Sequence, residues 1–554
     1  MKKPYSVCFL LFSSSFIFSQ DGSTPAASSN PEIHGNTQVN SQYYNPDSSI
    51  GAPPVPEKML VNGFANINYV KGNFKAGLRY ESYLNVIQGF DPRYKGNGIP
   101  YRYASYTVDE LEVTAGNFYE QFGNGLVLRT YEEKGLGIDN VFDGIRLKYS
   151  VHGFYLKGLV GKQRSYFSQG PGIVRGFDGE MRLSEVMKKW TDSPTQITMG
   201  GSFVSKFQDG TQIFLPSGTA LNVPQNVGAS AGRISLSRKK ISISGEYAYK
   251  INDPSAANNY IYRPGEAILV NASYSKKGFG FSVGGKRVDN FSFKSDRKAG
   301  RSDLDMNFLP GLVRQHTYSL LAFYPYATQP NGEFGYQSDL QMKFKKESAL
   351  GGKYGTDLAI NYSGANGLKT TPIPEMYDSS RIGYTTDQFA LGDVYYQDLN
   401  IEVSHKFSPK FKMMVIYANQ VYNKAIIQVE PGVPVIYSNI AMTELSYKIG
   451  PSRSVRMELQ HLYSHQDQKS WVMGLMEYGA GEHWLLSLQD QYNYANDIKT
   501  ERYHYYNASV VYLKGGTRIS LGYGKQRSGI FCVGGVCRYV PAFNGLMLTV
   551  TSSF

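Results

Sequence analysis

Leu546-Met547-Leu548-Thr549-Val550-Thr551-Ser552-Ser553-Phe554 are the last residues of the sequence. Leu546, Leu548, Val550 and Phe554 fall on one face, with Ser552 as the small polar exception. Met547, Thr549, Thr551 and Ser553 fall on the other. A side-chain period of two marks a β-strand, and here one face is apolar. Two architectures use such a strand. A soluble β-sandwich buries the apolar face in its core, and a transmembrane barrel turns it to lipid.

The opposite end of the chain favours the barrel. Lys2 and Lys3 precede an apolar stretch, Val7 to Phe18, and Ser19-Gln20 reads as a cleavage site. This is the pattern of a secretory signal peptide, too short to span a membrane as a helix. Cys8 lies inside the apolar stretch, which argues against a lipoprotein. No other stretch approaches the length of a helical span. The mature chain is instead rich in Tyr (44 residues) and Gly (58 residues), a composition that suits several soluble β domains or one large barrel.

Strands of about ten residues with alternating polarity run through the whole chain. Ile241, Ile243 and Tyr247 alternate with Ser242, Ser244 and Glu246; Leu399, Ile401 and Val403 alternate with Asn400, Glu402 and Ser404; Val455, Met457 and Leu459 alternate with Arg456, Glu458 and Gln460. Short turns, such as Lys71-Gly72-Asn73, Arg238-Lys239-Lys240 and Lys514-Gly515-Gly516, take turns with longer connections near 45–57, 87–106, 164–174, 208–225, 251–262, 292–332, 364–392, 425–438 and 528–538. Transmembrane barrels keep this phase, with short periplasmic turns and long outer loops. The reading predicts an all-β, single antiparallel barrel of about 24 strands, within a range of 22 to 26, beginning at about 32–44. Both termini then lie in the periplasm. Residues 118–139 read as a strand pair or an inward loop, and 314–326 as a strand or part of a large loop. The domains are a signal peptide (1–19), a flexible leader (20–31) and the barrel (32–554). Apolar side chains are expected to face lipid and polar ones a wet lumen.

The formal net charge is +12. In an exported barrel it does not point to nucleic acid. On strands whose inward face is clear, seven cations, among them Arg146, Lys250 and Arg456, meet six carboxylates, among them Glu246, Glu402 and Glu458. That is no bias toward one ion sign. His461 and His465 have a spacing that suits zinc on a helix, but on a strand they stand roughly 13 Å apart. No Ser-His-Asp grouping is present, so neither an enzyme nor a cofactor is expected. Cys532 and Cys537 flank Val533-Gly534-Gly535-Val536, a turn sequence across which a disulfide would suit an oxidising compartment. The glycine- and aromatic-rich segment Gly116 to Arg129 reads as a periplasmic turn. Its alternative is a lumen constriction lined by Glu120, Arg129, Glu132 and Glu133. The longest connection, 292–332, ends in Tyr324-Pro325-Tyr326 and is either a surface loop or an internal plug.

The final strand resembles that of bacterial outer-membrane barrels, in which lipid-facing residues such as Leu546, Leu548 and Val550 and a last Phe such as Phe554 form the signal read by the barrel-assembly machinery. More widely, the segments Gly116–Arg129, Pro325–Glu333 and Leu350–Thr356 resemble an uncharacterised outer-membrane β-barrel family of Bacteroidota. The resemblance implies fold and location (the Gram-negative outer membrane) and adds no site. Plug and periplasmic domains of better-known large barrels do not fit ahead of a first strand at 32. The expected function is a porin-like channel for small solutes. The alternative is a non-transporting barrel serving as partner or scaffold in an outer-membrane secretion, assembly or surface-protein complex. Expected partners are outer-membrane lipids, the assembly machinery and other outer-membrane proteins.

Overall fold

Strand pairing follows chain order from Glu32–Tyr44 round to Phe543–Ser553, and every pair is antiparallel. In this computed structural model, which describes residues 30–554 apart from 211, 215–217, 219, 301, 375–376 and 379, the ring contains 24 strands. The expected signal peptide and nearly all of the leader lie outside the described residues. The ring closes where the first and last strands meet, with Asn36 opposite Ser553, Val39 opposite Val550 and Tyr44 opposite Gly545. Gly35 and Phe554 exchange two backbone hydrogen bonds of 3.0 Å at the end of this seam. The Phe554 ring lies over Gly35, where a Cβ would stand 2.2 Å from it and would displace it.

The alternation of side chains sets the two faces of the wall. On Arg453–Ser464, Met457, Leu459, His461 and Tyr463 point out, and Glu458, Gln460, Leu462 and Ser464 point in and are buried. Leu459 is 58% exposed and Leu488 63% exposed on the outside. An outer surface this apolar, carried round the ring by Ile145, Leu147, Phe177, Phe203, Ile243 and Val270, is the mark of a wall that faces lipid. Leu546, Leu548 and Val550 belong to it, and Thr549 donates from Oγ1 to Asn40 Oδ1 at 3.2 Å on the inner side. Phe554 is 69% exposed.

Short turns cluster at the end that holds Phe554, and the longer connections cluster at the other. Two connections at the short-turn end are longer than the rest: 183–194, which contains a one-turn helix, Leu183–Val186, and 345–355. Four segments depart from the sequence reading. A strand, Gly96–Val108, starts well inside the expected loop 87–106. The expected connection 164–174 is a tight turn at Tyr166-Phe167, with Tyr166 at φ 58°, and strand pairing resumes at once. The expected loop 364–392 is largely a paired extension of two strands, Thr356–Pro372 and Tyr384–Lys406, with Thr370 opposite Thr386. Gly116–Arg129 is not a turn at the short-turn end: Leu111–Phe118 pairs directly with Phe142–Val151, so residues 119–141 emerge at the opposite end. Glycines in all of these stretches, and prolines in three of them, read as turn signals and hid the pairing.

A charge placed on the outer face should be costly and one placed on the inner face tolerated. Leu147→Arg is expected to destabilise the folded barrel by about 2–4 kcal/mol in urea titrations with lipid vesicles. Ser244→Arg, aimed into the lumen, should cost under about 1 kcal/mol. Equal costs would mean the faces are assigned wrongly.

Candidate functional site

A ring of 24 strands is wider than the 16–18-stranded barrels that enclose an aqueous channel. Here three connections from the long-loop end fold back into it. The first is 119–141. It makes two small hairpins, Gln121–Phe122 with Leu128–Arg129 and Glu132–Glu133 with Ile138–Asp139. The second is 290–331. Phe122, Leu126, Val127 and Leu128 of the first pack with Phe291, Phe293, Met306 and Leu309 of the second, against inward Val174, Val204 and Ala248 of the wall. The Arg129 N–H donates to the Met306 carbonyl at 2.7 Å and the Phe308 N–H to that of Gly125 at 3.0 Å. The Asp305 carbonyl accepts from Asn140 and Gln163 side chains, 2.8 Å each.

The second connection then crosses to the far wall. Leu320, Leu321, Phe323 and Tyr324 pack on inward Ile416, Ile440, Met442 and Trp471. Burying each large apolar side chain is worth about 1.5–3 kcal/mol, so this is a seated segment. It also corrects the expectation of a uniformly polar lumen, because part of the inner face is apolar where the loop lies on it. Residues 314–326 belong to this connection and form no strand.

The third connection, 527–542, ends in the hairpin Gly529–Val533 with Val536–Val540. Cys532 and Cys537 stand opposite each other in it and are disulfide-bonded. Gly534 and Gly535 turn the chain at φ 61° and 89°, a conformation in which a side chain is strained. The Gly534 and Gly535 carbonyls accept from the N–H groups of Gly311 (3.2 Å) and Thr328 (2.9 Å). Arg538 Nε donates to the Gly135 carbonyl at 2.7 Å. The hairpin therefore grips both of the other connections.

Ion pairs add to packing in placing this plug. Arg79 and Arg164, each with a side chain 4% exposed, share the carboxylates of the first connection and the wall. Arg79 pairs with Glu81 (2.7 Å), Glu132 (2.9 Å) and Asp139, and Arg164 with Glu81 and Asp139 (2.6 Å each). Glu120 is ringed by Lys157 (2.9 Å), Lys148 (3.4 Å) and Arg146 (3.5 Å). On the far wall Arg314 meets Glu402 at 2.5 Å, His316 meets Asp398 at 2.7 Å, and Tyr318 donates to Glu444 at 3.0 Å. Carboxylates dominate that wall around Arg456, which bonds Glu444, Glu458 and Glu477 at 2.9, 2.5 and 2.7 Å. An acidic loop thus sits on the cationic half of the wall and a basic stretch on the anionic half. Between the second connection and the short-turn end, a cavity of about 300 Å³ is lined by Ser242, Ser244, Asn271, Ser282, Gln337, Asp339 and Leu312.

All four residues named for a constriction lie in the inward connection. Glu120 and Glu132 anchor it to the wall as described. The Arg129 guanidinium lies 4.0 Å over the Phe308 ring, and Glu133 accepts from the Gly135 N–H at 3.0 Å. His461 and His465 point to different neighbours, the hydroxyls of Tyr494 (2.9 Å) and Tyr463 (2.8 Å). No group of three or more metal-ligating side chains occurs among the described residues. Sequence reasoning missed Arg79, Arg164 and the sorting of charge between the two halves of the wall. Their partners are far away in the chain, and no local pattern marks them.

A family model described as a family of unknown function, DUF6029, matches residues 1–554. The chain belongs to DUF6029. No curated protein matches it. Among solved structures it is similar to OccAB3 of Acinetobacter baumannii (9% identity, 95% of this chain and 98% of that one, TM-score 0.35). It is also similar to the siderophore receptor PirA of Pseudomonas aeruginosa (9%, 94% and 80%, 0.37) and to the P pilus tip assembly intermediate PapC-PapD-PapK-PapG of E. coli (8%, 94% and 60%, 0.48). The barrel topology of this DUF6029 chain rests on the strand pairing described above.

Two variants test how the plug is held. Arg79→Met leaves Glu81, Glu132 and Asp139 short of a cation, a loss of about 3–5 kcal/mol for a buried pair. Hydrogen exchange over 119–141 should accelerate while the wall strands stay protected; unchanged exchange would show that packing alone seats the loop. Gly535→Val puts a Cβ 2.5 Å from Thr328 Oγ1 at a positive φ. Protection is expected to fall together in 308–328 and 133–137, and a fall confined to 529–540 would refute the grip on both connections.

Proposed function

We propose that this protein is an outer-membrane barrel that passes small polar solutes only when its internal plug shifts, a gated relative of the porin-like channel expected from the sequence. Its short turns would then lie in the periplasm and its long connections outside the cell. One observation carries the reading: the plug is charge-matched to a wall of two signs, through Glu120, Glu132 and Asp139 on one side and Arg314 on the other, where His316 adds a hydrogen bond to Asp398. Ion pairs of this kind can be exchanged for water and solute ions, whereas a plug held by packing alone could not be loosened this way. A polar cavity next to Leu312 lies between the plug and the short-turn end. In this reading Glu120, Arg129, Glu132 and Glu133 set the closed state and do not filter an open one.

A second reading, the partner or scaffold barrel, is favoured by the apolar seating of residues 320–324 and by apolar side chains left bare at the long-loop end. Phe389 is 84% exposed there and Val429 81%.

Planar-bilayer recording of the purified protein separates the two. The wild type should be closed most of the time with rare large openings. Glu402→Arg, which sets like charges against Arg314, should open far more often, and the Arg314→Glu/Glu402→Arg exchange should restore the closed behaviour. Silence from all three proteins at every voltage would end the conduit reading and leave the scaffold.

A further inference from the structure

On the lipid-facing side of the wall, near the long-loop end, lies a basic patch that the plug does not use. Arg102, Lys162 and Arg175 all point outward, on the strands Gly96–Val108, Phe154–Ser165 and Ser168–Arg182. Their outward setting follows from the register. Arg175 is opposite Val160, which is 41% exposed to the outside, and Lys162 is opposite Asp143 on the neighbouring strand. Asp143 Oδ2 accepts from Arg102 Nη2 at 3.2 Å and from Gln169 Nε2 at 2.8 Å. Lys162 has no ionic partner among the described residues. The Arg175 guanidinium lies 6.0 Å over the Phe207 ring and is otherwise open. Three cations against one carboxylate leave two positive charges on a surface that is otherwise apolar below this level, through Ile145, Leu147, Val160 and Phe177.

The height of the patch matters. Each strand residue rises about 3.3 Å, or about 2.5 Å along the normal at a tilt near 40°. Lys162 stands eight residues beyond Phe154, the first residue of its strand, so about 20 Å above the short-turn end. By the same measure Arg175 and Arg102, seven and six residues from the short-turn ends of their strands, stand at about 18 and 15 Å, so the patch lies in the upper part of an apolar band about 25 Å tall, from which long basic side chains reach its boundary. Two other outward polar groups toward this end have partners in place, Asp490 with His504 at 2.7 Å and Lys525 with Asp47 at 2.6 Å. Here the cations are left in excess. Two arginine forks and a lysine spread over one stretch of the outer wall suit a group with several charged oxygens, and at this depth the group in reach is a lipid headgroup phosphate.

We propose that Arg102, Lys162 and Arg175 hold a phosphate of an outer-leaflet glycolipid against the barrel, with Asp143 orienting Arg102. The site is independent of whether the barrel conducts.

The test is native mass spectrometry of the full-length protein in detergent, with added phosphorylated lipid A, dephosphorylated lipid A or inorganic phosphate. The wild type should hold one phosphorylated lipid. Arg102→Gln/Lys162→Gln/Arg175→Gln should bind it at least about tenfold more weakly, as expected for lost charge-assisted bonds. The dephosphorylated lipid should bind the wild type as poorly. Lys525→Gln, a control at the same end, should bind like the wild type. Heat-dependent gel mobility shows whether the triple variant folds, and the single Arg175→Gln, at an exposed side chain, serves if it does not. Equal binding of the dephosphorylated lipid, or unchanged binding in the variants, overturns the proposal. So does inorganic phosphate that displaces the lipid at equal concentration, because the site would then serve a soluble anion.

Discussion

A backbone inside hydrocarbon has no water to bond to, and every N–H and C=O must find a partner in the chain. That constraint makes the seam between Glu32–Tyr44 and Phe543–Ser553 the condition for the rest. Once the ring is closed, its circumference is set by strand number, and 24 strands leave a lumen that wall side chains cannot fill. The inward connections answer that width. They bring their own apolar residues, and the wall supplies Ile416, Ile440 and Trp471 on one side and Val174 and Val204 on the other to receive them. The lumen is thereby a second core, enclosed by a sheet whose outer face is also apolar.

The strands were legible because alternation is a local signal. Arg453–Ser464 shows it within a dozen residues, and the phase of short and long connections carried the count and the first strand at 32–44. The faces of the last strand were legible for the same reason. The plug was legible only as a question. Gly116–Arg129 looks like a turn because its glycines and aromatics serve a turn and an inward loop equally well, and only the direct pairing of Phe118 with Phe142 decides. The clamp was half visible. Cys532 and Cys537 marked a hairpin, but nothing near them names Gly311, Thr328 or Gly135 as its targets.

Charge shows the limit of counting. Seven inward cations against six carboxylates predicted neutrality, and as a sum that is fair. The arrangement is polarised all the same. Arg79, Arg146, Lys148, Lys157 and Arg164 lie on one part of the wall, and Asp398, Glu402, Glu444, Glu458 and Glu477 on another. A field across the lumen depends on where strands fall around a ring, which composition does not encode. The plug carries the complementary pattern in segments about 180 residues apart, with carboxylates in Glu120–Asp139 and a guanidinium at Arg314.

The hairpin at 527–542 also gives the molecule a clock. Its grip on Gly311, Thr328 and Gly135 joins parts of the chain separated by about 200 to 400 residues, contacts of the kind that form late because long loops must close first. The hairpin lies directly before Phe543–Ser553, the strand that completes the ring. That strand's pairing with Thr517–Gln526, where Gln526 stands opposite Phe543, fixes the base of the hairpin, and its pairing with the first strand closes the wall around the lumen into which the hairpin reaches. One strand thus serves both sealing the wall and locking the interior, and a ring that lacks it is left both open-edged and unclamped.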